Sequence, residues 1–139
     1  MQTLLNILKR AGGWNPSLYL KIENAPYMAL VIEATGESGP SGLPAISVAH
    51  YGEQNGDLMR DPEMCFELAT EEGPQLDPFY FRNDYIGVEQ WSRTIERSHN
   101  IRLSRLHEQH KQFAKEWDNN LRLQGFAEAF ERQQQTPRA

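Results

Sequence analysis

The spacing of apolar residues changes several times along this chain, and each change marks a different kind of element. In "TLLNILKRAGG", Leu4, Leu5 and Leu8 share one face of a helical wheel, Thr3 stands where a helix cap belongs, and Gly12 or Gly13 can end the helix. This predicts a short helix that lays its leucines on a sheet. "SLYLKIEN" then alternates Leu18, Leu20 and Ile22 with Tyr19, Lys21 and Glu23, the period of a half-buried strand. A turn at Asn24-Ala25-Pro26 leads into "YMALVIEA", and the two runs predict a hairpin. Residues 35–44, "TGESGPSGLP", are rich in Gly and Pro with almost no apolar anchor, which predicts a mobile loop.

Two further alternating runs, "AISVAHY" and "EMCFELA", flank the polar stretch "EQNGDLMRDPEM". If Asn55-Gly56 forms a two-residue turn, Gln54 faces Asp57 and Gly52 faces Met59. Continued unbroken, that register opposes Val48 to Glu63. A one-residue bulge at Asp61-Pro62 corrects it, so that Val48 meets Met64 and Ile46 meets Phe66. Proline lacks a donor and is at home at a bulge. After "TEEGPQLDP", the run "FYFRNDYIGVEQW" reads as one more aromatic-rich strand with a bulge at Gly87. From about Ser98, Leu103, Leu106, His110, Phe113, Trp117 and Leu121 recur at helical steps, and Gly125 suits the residue beyond a helix end, placing Phe126 against Leu121. The predicted architecture is α+β. One domain spans residues 1–130, with an antiparallel, meander-like sheet of about five strands, a short N-terminal helix and a long C-terminal amphipathic helix packed on it; residues 131–139 are expected to fray.

Composition narrows the functional classes. The 139 residues suffice for one core, and no run approaches the ~18 apolar residues of a membrane helix. The N-terminal apolar run precedes its basic pair and has no small-residue cleavage site, so a cytoplasmic location is expected. A single cysteine, Cys65, excludes an internal disulfide and a multi-thiolate zinc site. Residues 1–92 hold 13 acidic against five basic side chains, and residues 93–139 hold six against nine. So acidic a body repels phosphate and disfavours nucleic acid as a partner; DNA binding would require Arg93, Arg97, Arg102 and Arg105 on one exposed strip. No phosphate-cradling glycine motif is present, and no cofactor is expected.

Candidate chemistry centres on the hairpin. The proposed register brings His50 near Asp61, with Asp57 or Asp84 as the third group, an acid and base arrangement that a metal-dependent hydrolase or nuclease-like enzyme centred on His50, Asp57 and Asp61 would use. It also turns Glu63 and Glu67 to the opposite face, which splits the four-carboxylate cluster and predicts no metal site. The alternative is structural: a sheet histidine with satisfied nitrogens, and Arg60 neutralising Glu53 or Glu63. His107 and His110 lie three apart, not the four of a zinc-protease helix, and His110 falls on the apolar stripe. Tyr85 and Trp91 are the aromatics best placed to anchor a protein partner, and Arg60 is a third binding candidate. The helix period also leaves a homodimer open.

The motifs "HYGEQNGDLMRDPEM", "FRNDYIG" and "WDNNLRLQGF" resemble, in order and spacing, an uncharacterised bacterial domain family found on plasmids, integrative conjugative elements and phages. The resemblance runs from Tyr27 to Phe126. It implies no reaction, cofactor or catalytic residue. With no complete catalytic constellation on the chain, it favours a non-catalytic accessory or protein-interaction role on a mobile element, modulating host or defence proteins.

Overall fold

The computed structural model describes residues 1–69 and 75–135. A helix, α1 (Gln2–Arg10), leads into strands β1 (Tyr19–Asn24), β2 (Tyr27–Ala34), β3 (Ala45–Gln54), β4 (Asp57–Ala69), β5 (Gln75–Asn83) and β6 (Val88–Trp91). These six form one antiparallel sheet in chain order, so β1 and β6 are its edges. A separate hairpin follows, β7 (Arg93–Glu96) and β8 (His99–Arg102), and then helices α2 (Ser104–Leu123) and α3 (Phe126–Gln135). The α+β class and the meander hold, with both predicted helices present. Among the described residues, no helix is long and apolar enough to cross a membrane.

The alternation of the strands sets the core. Ile22, Leu30, Ile32, Ile46, Val48, Met64 and Phe66 project from one face of the sheet and meet Leu4, Ile7 and Leu8 of α1, Ala114, Trp117 and Leu121 of α2, and Phe126 and Phe130 of α3. The apolar stripe of α2 therefore packs on its own sheet. Asp118, on the same helix, accepts from the N–H groups of Thr3 and Leu4 at 3.1 and 3.0 Å and so caps α1 from a distance. Thr3 is not the cap: α1 begins one residue earlier and makes no side-chain cap bond.

The central hairpin follows the predicted register. Gln54 opposes Asp57, Gly52 opposes Met59, and Val48 and Ile46 oppose Met64 and Phe66. The ladder shifts between Ala49 and Tyr51, opposite Asp61 and Pro62. Asn55 and Gly56 both take positive φ, 52° and 85°, as a two-residue turn that matches strand twist demands.

The strand count is where sequence and structure part. "FYFRNDYIGVEQW" is two strands, not one, because the Asn83 side chain accepts from the Tyr85 N–H at 3.0 Å and bends the chain, while Gly87 at φ 65° closes the turn. The second difference lies at residues 93–102. Arg97 and Ser98 hold positive φ, 50° and 68°, in a turn with no glycine, so the β7–β8 hairpin carries no ordinary turn signature and its second strand reads as helix. The helix α2 begins at Ser104 instead of near Ser98. Gly125, at φ 83°, ends α2 as expected, but the chain resumes as α3 and stays helical to Gln135. Residues 136–139 of the predicted frayed tail, and residues 70–74 at the start of "TEEGPQLDP", lie outside the described residues.

Candidate functional site

The three candidates for acid and base chemistry occupy different surroundings. His50 is buried, with its ring at 5.6 Å from Trp117 and 5.4 Å from Phe126. Its Nδ1–H donates to the carbonyls of Met28 and Ala29 at 3.1 and 3.3 Å, which fixes the neutral tautomer. Burial holds its pKa below the usual imidazole value, against weaker opposition from those carbonyls and from the charge of Asp61. Asp61 makes no hydrogen bond to His50 among the described residues and instead accepts from Asn83 Nδ2 at 2.8 Å. Asp57 sits at the exposed hairpin tip. The structure thus brings His50 and Asp61 within electrostatic reach and leaves Asp57 apart. Among the described residues, no group of three or more His, Cys, Asp or Glu side chains is placed to hold a metal ion.

Glu63 and Glu67 turn away from His50, as the alternation requires. Glu63 accepts from Ser47 Oγ at 2.5 Å and lies 3.2 Å from Arg60 Nε, so Arg60 does neutralise an acid of its own hairpin. Arg60 also stands 3.6 Å from Asp84, with its guanidinium above the Tyr51 ring. Asp84 in turn accepts from the Arg60 N–H and from Arg82 Nε, and these bonds hold its carboxyl below the usual range. Cys65 stands near Glu63 and Glu33. Burial and the charge of Glu63 push its thiol up to about 12, so it stays protonated and unreactive.

Glu67 belongs to a network that the sequence does not announce. Only 1% exposed, it lies 2.7 Å from Arg93 Nη1, and its Oε2 accepts from the N–H groups of Ser41 and Leu43. Arg93 bridges onward to Asp77 at 2.8 Å and to Ser41 Oγ, and Asp77 accepts from His107 Nε2 at 2.7 Å. The loop of residues 35–44, predicted to be mobile, is therefore pinned onto a buried carboxylate. Gly39 packs so closely on Glu67 that a Cβ there would collide with the Glu67 side chain. His110 completes a second set: Nε2–H donates to Gln90 Oε1 at 3.1 Å and Nδ1 accepts from Ser92 Oγ at 2.8 Å. Its pKa falls to about 4, through burial first and repulsion by His107 second. Both helix histidines are thus engaged in hydrogen bonds within the fold. With Arg93 buried in ion pairs, the four arginines of 93–105 form no common exposed strip.

The aromatic candidates are placed otherwise. Trp91 is half exposed on the edge strand β6 and packs on Tyr80 with ring centroids 5.0 Å apart. Tyr85 lies in the β5–β6 turn, and its hydroxyl rests on Gly52, where Met28 Sδ also comes within 3.2 Å of a notional Cβ. That end of the sheet collects the start of β2, the β3–β4 turn and the β5–β6 turn. Five large apolar or aromatic residues are exposed there: Leu58 at 72%, Ile86 at 70%, Tyr27 at 45%, Tyr85 at 44% and Met28 at 37%. Leu58 and Ile86 carried no signal in the sequence, because each sits beside a turn where apolar periodicity is broken.

Residues 2–127 match a family described as Domain of unknown function (DUF6908). No curated protein and no solved structure matches the chain.

Proposed function

The chain belongs to the DUF6908 family, and we propose that it is a non-catalytic interaction module that binds a protein partner through the end of its sheet formed by the β3–β4 and β5–β6 turns. One observation carries this reading: Leu58 and Ile86 are each exposed by 70% or more, at the end of the sheet that also bears the half-exposed Tyr27, Met28 and Tyr85. Scattered exposed apolar residues are normal on a monomer; five gathered at one end of one sheet are the mark of a contact surface. Tyr85 supplies the amphipathic anchor, an apolar ring with a hydroxyl, of the kind that dominates binding energy at interfaces. Arg60, one strand away and held by Glu63 and Asp84, supplies a polar rim.

The resemblance to domains of plasmids, conjugative elements and phages makes the proposed setting the cytoplasm of a bacterium carrying such an element, with a host or defence protein as the partner. The site around His50 lends an enzymatic role no comparable support, since its imidazole is spent on backbone carbonyls and aromatic packing. Affinity purification from the native host tests the proposal. The wild-type chain should enrich a discrete protein that Leu58→Asp with Ile86→Asp loses while folding normally. Equal recovery by both would remove the sheet end from the interface.

A further inference from the structure

A second surface, remote from the sheet end, has a different character. Between α1, α2 and β5 runs a groove of about 820 Å³. Leu76 and Pro78 of β5, Ala114 of α2 and Met1 give it an apolar floor. Along one side stand Lys111, Lys115 and Arg122, separated by four and seven residues, so they form a single stripe over three turns of α2. Of the two acids in the lining, Asp118 is turned to α1 and is buried, and Glu116 keeps its charge against the three cations. Both oxygens of Asp118 accept from the N–H groups of α1, and Glu116 accepts from Gln112. Lys111 stands 3.4 Å from Glu108 in an exposed pair, and Lys115 makes no ion pair among the described residues. On a chain of net charge -5, this is a local cationic strip beside an apolar channel.

We propose that this groove binds an acidic, amphipathic peptide segment of a partner protein. From Lys111 to Arg122 the helix rises about 16 Å, the length of roughly three helical turns of a ligand. An elongated channel bounded by a helix, with apolar contacts below and charge along one rim, is the geometry of helix-in-groove recognition. Apolar side chains of the ligand at i, i+3 or i+4, and i+7 fill the floor, and its carboxylates meet the three cations. The three cations favour the acidic segment over neutral amphipathic ones, and the net negative charge of the chain as a whole disfavours its binding elsewhere. The contact is independent of the sheet-end surface, so either can fail without the other.

The test is an NMR titration of the full chain with a synthetic acidic amphipathic peptide of about 12 residues, a counterpart with Gln for Glu and Asn for Asp, and a basic counterpart. The acidic peptide should shift the amides of Lys111, Lys115, Arg122 and Leu76, with little change at Leu58 or Ile86. Binding should weaken about tenfold in Lys111→Glu with Lys115→Glu, a pair of exposed substitutions that leaves the rest of the spectrum intact. It should weaken again as salt rises. The proposal is overturned if no shifts appear up to about 1 mM peptide, if the neutral peptide binds equally well, or if the charge reversals have no effect. It is overturned too if inorganic phosphate displaces the acidic peptide at equal charge, which would make the strip a simple anion site.

Discussion

Replacing Arg93 by Met leaves Glu67 as a buried, unpaired carboxylate, and the cost can be worked from the geometry. Glu67 is 1% and Arg93 7% exposed, with 2.7 Å between their charged atoms. Removing one partner of a buried pair costs about 3–5 kcal/mol, since the remaining charge keeps its desolvation penalty without its compensation. Arg93 also holds Asp77 and Ser41, so the β7 hairpin and the 35–44 loop lose their common tie. A chain of this length has roughly 7–20 kcal/mol of stability in all, and each kcal/mol shifts Tm by about 2–4 °C. Arg93→Met should therefore lower Tm by about 10 °C, measured by calorimetry and by urea unfolding. Removing both charges, Glu67→Met with Arg93→Met, should cost less than the sum of the two single variants. A loss below about 1 kcal/mol for Arg93→Met, the value of an exposed ion pair, would refute the assignment of this pair as a buried tie.

Other outcomes follow from the same structure. Gly39→Ala drives a Cβ into the held side chain of Glu67 and should cost about 1–3 kcal/mol by denaturant unfolding, whereas Gly52→Ala meets the ends of the Tyr85 and Met28 side chains and should cost under about 1 kcal/mol while displacing the Tyr85 ring. Asp118→Ala removes the cap of α1 and should cost about 1–2 kcal/mol, with accelerated amide exchange at Thr3 and Leu4. Acid should destabilise the fold through His110 and His50, whose folded pKa values lie below the unfolded value of 6.5. The unfolded chain then binds more protons below pH 6.5, so their contribution is present above that pH and falls away as pH drops towards about 4, where His110 titrates in the fold. For His110 the total is about 3 kcal/mol, and His110→Gln should flatten the stability profile across that window.

Much of the core was legible because it rests on period-2 alternation. Ile46, Val48, Met64 and Phe66 fall into register once Asn55-Gly56 and Pro62 are read as turn and bulge, and the same reading separates His50 from Glu63 and Glu67. The β7–β8 hairpin was not legible. Arg97 and Ser98 bear positive φ that their residue types disfavour, and no glycine announced the turn. The polar network was hidden for a different reason. Glu67, Asp77, Arg93 and His107 are separated by 10 to 40 positions, and nothing local distinguishes a buried carboxylate in "CFELA" from a solvated one. Of the surface candidates, Tyr85 and Arg60 could be named from residue type and turn position. Leu58 and Ile86 could not, since exposure of an apolar residue depends on what the fold fails to place over it.

The central claim is that a partner protein docks on the sheet end, and site-specific photocrosslinking in the native host tests it most directly. A photoreactive phenylalanine analogue at Leu58 or Ile86 should yield a discrete covalent adduct with one protein, while the same residue at Glu37, exposed on the loop at the opposite end of the sheet, yields none. Adducts of equal yield from all three positions, or from none of them, would contradict it.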